Sequence, residues 1–103
     1  VKTIDVTMVR IYVTEGNGQM ERLLAKLHDE EKVRGATVYR AVTGFGQSGR
    51  VHSSTLLDMS LDLPLVLEFF DEPARTERIQ EYLSTLVKPG HMVSWPARVT
   101  VED

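Results

Sequence analysis

The stretch LPLVLEFFDEPARTERIQEYLSTLVKPGHMVSWPARVTV (residues 63–101) decides the fold. Leu63 to Phe70 is nearly all apolar, with Glu68 as the charged exception, and reads as a strand. Asp71-Glu72-Pro73 then opens a helix, because acidic residues suit the positive end of the helix dipole and Pro fits the first turn. Ile79, Tyr82, Leu83 and Leu86 keep helical spacing until Lys88-Pro89-Gly90 stops it. Met92 to Val101 follows as another strand, with Val93, Trp95, Ala97, Val99 and Val101 on one face. Pro96 has no N–H to give to a ladder, so this strand lies at an edge or is bulged there.

The first half of the chain runs in the same order. Ile4 to Val13 is rich in β-branched residues and alternates as a strand does. Thr14-Glu15-Gly16-Asn17-Gly18 breaks it. Gln19 to Lys32 carries Met20, Leu23, Leu24 and Leu27 on one helical face, and Gly35 sits just past its end. Ala36 to Thr43 is the next predicted strand, ended by Gly44-Phe45-Gly46. Gln47 to Asp62 shows no strong period and reads mainly as a long loop. The order β-α-β-β-α-β predicts an α+β, ferredoxin-like sandwich: a four-stranded antiparallel sheet with two helices on one face.

Alternation assigns the faces. Val9, Ile11 and Val13, with Leu65, Leu67 and Phe69, turn toward the helices. Met8, Arg10 and Tyr12, with Val66, Glu68 and Phe70, fall on the bare face. That mixture is too apolar for open water, and Arg10 and Glu68 are placed to pair within it. A snorkelling arginine on a partly exposed face is the plain reading. The sharper one is an oligomer core built from the sheets of several subunits.

With 103 residues the chain is expected to be a single domain, 1–103. A net charge of −3 argues against a sequence-independent nucleic-acid binder, which needs a basic face. The absence of cysteine removes disulfides, thiolate nucleophiles and cysteine-based metal sites. No apolar run reaches the ~20 residues that span a bilayer, so no membrane insertion and a cytoplasmic setting are expected.

The candidate chemistry is sparse. Gly44-Phe45-Gly46 lets backbone N–H groups approach an anion, but it lacks the Gly-Lys-Ser/Thr of a Walker loop and the third glycine of a dinucleotide fingerprint. Arg50, with Ser53, Ser54 and Thr55 after it, suits a phosphate. Lys88-Pro89-Gly90-His91 offers a cation, a flexible position and an imidazole, although a helix exit needs none of them. His28, His52 and His91 have no metal-ligand spacing, and no nucleophile elbow is present. Glu30, Glu31, Asp71 and Glu72 read as solvated helix-end charges.

Gly35-Ala36-Thr37-Val38-Tyr39-Arg40, Thr43-Gly44-Phe45-Gly46 and Asp62-Leu63-Pro64-Leu65-Val66-Leu67-Glu68 resemble an uncharacterised PII-like family of small bacterial and archaeal proteins, sometimes encoded beside fluoride exporters. More distantly, the chain is similar to the PII nitrogen-signalling proteins. The resemblance implies a homotrimer that needs no cofactor for chemistry and binds an adenine nucleotide in clefts between subunits. It implies a mobile loop at 47–62 that signals to an unidentified partner protein, a membrane transporter being one candidate. Gly44, Phe45 and Gly46 would line the cleft, Thr37 would contact the base from a neighbouring subunit, and Lys88, Gly90 and His91 would stand at the phosphates with Arg50.

The departures are informative. Gly35 to Gly44 is one residue longer than in PII, so a bulge or reversed side chains are expected in that strand. The loop holds no tyrosine to modify. The second glycine loop of PII is replaced by Pro89-Gly90-His91, and fewer cations favour AMP or ADP over ATP. Two other readings share the fold: a dimeric-barrel enzyme using Tyr12, Tyr39, His52 or Trp95 in a pocket between sheet and helices, and a metal-binding structural trimer using His52 or His91.

Overall fold

A computed structural model describes residues 1–14, 18–45, 51–53 and 64–103. Its strands are β1 (Lys2–Thr14), β2 (Gly35–Arg40), β3 (Thr43–Phe45), β4 (Val51–Ser53), β5 (Pro64–Asp71) and β6 (Met92–Val101). The helices are α1 (Gln19–Ala25), continued as a π-helix over Lys26–Glu31, and α2 (Pro73–Leu83). The main sheet has the order β2-β5-β1-β6 and is antiparallel throughout. This is the α+β, ferredoxin-like arrangement that the element order predicts.

The face assignment holds. Val9, Ile11, Leu67 and Phe69 are fully buried and pack with Leu23, Leu27, Ile79 and Leu83 from the helices. Burial at spacings of three and four residues on each helix meets burial at every second residue on each strand, which closes one core layer. β6 lies at a sheet edge, as Pro96 requires.

Four expectations need correction. The helix over 19–32 is α-helical only to Ala25; from Lys26 to Glu31 it widens to a π-helix and ends at Lys32 in the left-handed region, φ 50°. The strand over 36–43 is two strands, β2 and β3, separated at Ala41-Val42. The reason lies across the sheet: Arg40 pairs with Leu65, and the next position is Pro64, the first residue of β5, which has no N–H to donate. The region read as a loop contains β4, whose three residues pair with β3 as Thr43 with Ser53 and Phe45 with Val51. The rest of 47–62 lies outside the described residues. Finally, Asp71 is no solvated helix-end charge, because it is only 1% exposed.

Candidate functional site

Chemistry-bearing residues gather in two regions: the bare face of the sheet, and the sheet end where the glycine segments meet.

On the bare face, strand register sets Thr37, Glu68, Arg10 and Val93 in one line across β2, β5, β1 and β6. Arg10 Nε donates to Glu68 Oε1 at 2.6 Å. The same guanidinium stands 5.0 Å from the centre of the Trp95 ring, within cation–π range. The Tyr39 hydroxyl and then the Arg10 guanidinium hold the Glu68 carboxyl below its ordinary range, against the opposing effect of burial. Hydrogen bonding to Glu68 and burial raise the Tyr39 phenol. Around this neutralised group lie Val6 and Val66, both buried, and the half-buried Met8, Phe70 and Trp95. Tyr39 and Trp95 therefore stand on the bare face and not in a pocket between sheet and helices. Their link to Arg10 was legible only in part, because alternation gives the face but not the facing residue.

Glu68 has a pH consequence. Its folded pKa lies below the unfolded one, so its stabilisation is fully present above the ordinary value of 4.5 and fades as pH falls through the folded value. Glu68→Gln is expected to be less stable than wild type at neutral pH. The gap between the two should narrow as pH falls below the ordinary carboxyl value in thermal melts. A constant gap would remove Glu68 as the titrating group.

The second region gathers at one end of the sheet. Arg40, Leu65 and Val13 mark that end on β2, β5 and β1. β3 leaves from the β2 side, with Gly44 half-buried and Phe45 75% exposed. The Lys88–His91 turn lies at the same end on the β6 side. Gly90 has φ 88°, His91 N donates to Lys88 O at 3.1 Å, and Tyr12 N donates to His91 O at 2.9 Å. All three of Lys88, Gly90 and His91 are exposed, as is Thr37 on β2. Gly46 and Arg50 lie outside the described residues. The two halves share an end of the sheet but stand at opposite edges. With β5 and β1 between them they are about 14 Å apart, at ~4.8 Å per strand.

Among the described residues no group of three or more metal-ligating side chains comes together. His28 lies on the π-helix with Nδ1 2.8 Å from Asp29, far in sequence from His91 in its turn. An apolar groove is formed outside the core, between α1 and the edge of β2, lined by Leu24, Ala25, Val33 and Ala36 with Lys32 and Arg34 beside it. Among the described residues no helix is long and apolar enough to cross a membrane.

The model of the DUF190 family, "Uncharacterized ACR", matches residues 6–99 of the chain. The chain belongs to the DUF190 family. A curated relative, a UPF0166 protein of Methanocaldococcus jannaschii, is 28% identical over 94 residues, covering 87% of this chain and 86% of the relative. The fold is also that of PII-like proteins. CPII of Thiomonas intermedia, solved with ADP and bicarbonate, has a TM-score of 0.66 at 18% identity, covering 97% of this chain and 91% of CPII. A putative PII-like signalling protein of Thermus thermophilus has a TM-score of 0.62 at 18% identity, covering 96% of this chain and 91% of that one. For this DUF190 protein the resemblance read from the sequence is thus correct as to family and fold.

Proposed function

We propose that this DUF190 protein is a PII-like regulator that binds an adenine nucleotide between the subunits of a homotrimer. The observation that carries the reading is the split site. Gly44 and Phe45 stand at one edge of the sheet, and Lys88, Gly90 and His91 at the other, so one copy does not bring them to a single ligand. In an assembly, Thr37, Gly44 and Phe45 of one copy face Lys88, Gly90 and His91 of the next, with Gly46 and Arg50 belonging to the first half by sequence. CPII, which shares the fold, holds ADP, and this supports the choice of ligand class.

Backbone N–H groups at the glycines and the Lys88 ammonium suit phosphate oxygens. The role requires no bond making, and the protein is read as a non-enzyme acting in the cytoplasm. A ligand preferring one arrangement of residues 47–62 would shift its population and thereby the affinity for a partner protein, a membrane transporter being one candidate. Among the assigned described residues Lys88 is the one permanent cation, and so small a positive charge favours the shorter phosphate chains of AMP and ADP. Isothermal titration with AMP, ADP, ATP and cyclic AMP, with the mass in solution determined alongside, tests this. AMP or ADP is expected to bind tightest to a trimer. Tightest binding of ATP would overturn the ranking, and no binding by any of the four would overturn the function.

A further inference from the structure

The two helices pack on β1 and β5 and leave β2 uncovered: no β2 residue belongs to the buried core, and Ala36 to Arg40 are all exposed. Alternation puts Ala36 on the helix side of the sheet. Between it and α1 lies an open groove of about 870 Å³, within the ~300–1,000 Å³ of small-ligand pockets. Its helix wall is the stripe Glu21, Leu24, Ala25 and His28, about 10 Å long. Small residues, Ala25 and Ala36 among them, leave the space between the walls unfilled.

The geometry points to a binding site for a small amphipathic carboxylate, its apolar chain in the groove and its charged head at the Lys32–Arg34 end. Charge sets this polarity. Glu21 stands at one end of the helix stripe, and His28, Lys32 and Arg34 gather at the other. Lys32 is exposed and has no ion pair among the described residues. Arg34 is 42% exposed, and its contacts of 3.8 Å to Asp71 and 3.6 Å to Glu72 are longer than hydrogen bonds, which leaves guanidinium donors for a further carboxylate. His28 Nδ1 is taken up by Asp29, so the head falls to Lys32 and Arg34. The carbonyls of a helix C-terminus ordinarily repel an anion. Here Leu27 O accepts from Lys32 N and Val33 N, and Glu31 O accepts from Arg75, so these two are already engaged.

The groove is separate from the proposed nucleotide cleft. Gly44 and Phe45 follow the far end of β2, where Arg40 is about 17 Å along the strand from Gly35. An amphipathic acid is thus a second input, and it does not rest on the nucleotide.

Octanoate is the probe, because it joins a carboxylate charged at neutral pH to an apolar chain that fits the length of the groove. Isothermal titration is expected to show saturable binding in about the millimolar range, and about tenfold weaker binding of octylamine, whose head has the opposite charge. Lys32→Asn is expected to weaken octanoate binding about tenfold. Asn tolerates the left-handed backbone at φ 50°, so the charge is removed without strain. Ala25→Leu is expected to abolish binding by filling the groove. Ala25 is exposed on α1, and thermal melts matching wild type show that both variants are folded. Octylamine binding as tightly as octanoate overturns the carboxylate head, as does an unchanged affinity in Lys32→Asn. Binding retained in Ala25→Leu puts the ligand elsewhere and overturns the groove. No binding of octanoate, the result if a second copy of the chain covers the groove, overturns the site outright. None of these outcomes bears on adenine-nucleotide binding, which stands or falls by its own titration.

Discussion

Asp71→Asn is expected to lower the melting temperature of this DUF190 protein by about 10–20 °C. Asp71 ends β5 and is 1% exposed. Its Oδ1 accepts the Glu72 N–H at 2.7 Å, just before α2 begins. Its Oδ2 lies 3.0 Å from Arg75 Nη1, a charge contact whose angles fall short of a hydrogen bond. Arg75 in turn donates to the Glu31 carbonyl, so one carboxylate ties the end of β5 to the start of α2 and, through Arg75, to the end of the π-helix. The Asn amide keeps the shape but removes the charge that both Arg75 and the more distant Arg34 oppose. Breaking this pair, of which Arg75 is 35% exposed and Asp71 buried, costs about 2.5 kcal/mol, and each kcal/mol is worth ~4–8 °C in a domain of this size. Arg75→Ala should cost less, because Arg75 is 35% exposed and water replaces part of its contact. An Asn variant that melts with wild type would show that the charge of Asp71 contributes nothing to stability.

The second large effect is on ligand binding. Gly90→Val is expected to weaken adenine-nucleotide binding by at least about tenfold, because Gly90 sits at φ 88°, where a β-branched residue costs roughly 1–3 kcal/mol and re-aims the turn. The turn carries Lys88 on one side and His91 on the other, so both side chains move with the Gly90 backbone. Gly90 is exposed and outside the core, and the His91 carbonyl that Tyr12 uses is one residue away. A fall of a few degrees in melting temperature is therefore expected beside the loss of affinity. Titration calorimetry beside thermal melts separates the two. Unchanged affinity would take the Lys88–His91 turn out of the site.

The candidate site was legible in its parts and not in its arrangement. Gly44, Phe45, Lys88, Gly90 and His91 stand out as residue types, yet nothing local says that they share one end of the sheet at opposite edges. Only the strand order β2-β5-β1-β6 gives that. Tyr39 was visible as an aromatic residue on a predicted strand, but its hydroxyl's effect on Glu68 depends on a pairing made across the sheet. The charge at Asp71 looked like ordinary helix-start chemistry. Its burial depends on Arg34 and Arg75, which reach it from the start of β2 and from α2.

The sequence by itself determined the order of the four main strands and two helices, though not β4 or the break between β2 and β3, and which residue faces which way along each main strand. These follow from periods of 2 and 3.6, which are properties of the local backbone. Thus Val9, Ile11, Val13, Leu65, Leu67 and Phe69 could be assigned to the core, and Arg10 and Glu68 to the same bare face. Tertiary structure alone decided what is opposite what: Arg10 against Glu68, Arg40 against Leu65 with Pro64 ending the pairing, β3 against β4, and Phe70 across Gly35. Such pairings join residues far apart in the chain. Alternation repeats every two residues, so it fits several registers equally well, and only the packing of the whole sheet selects one.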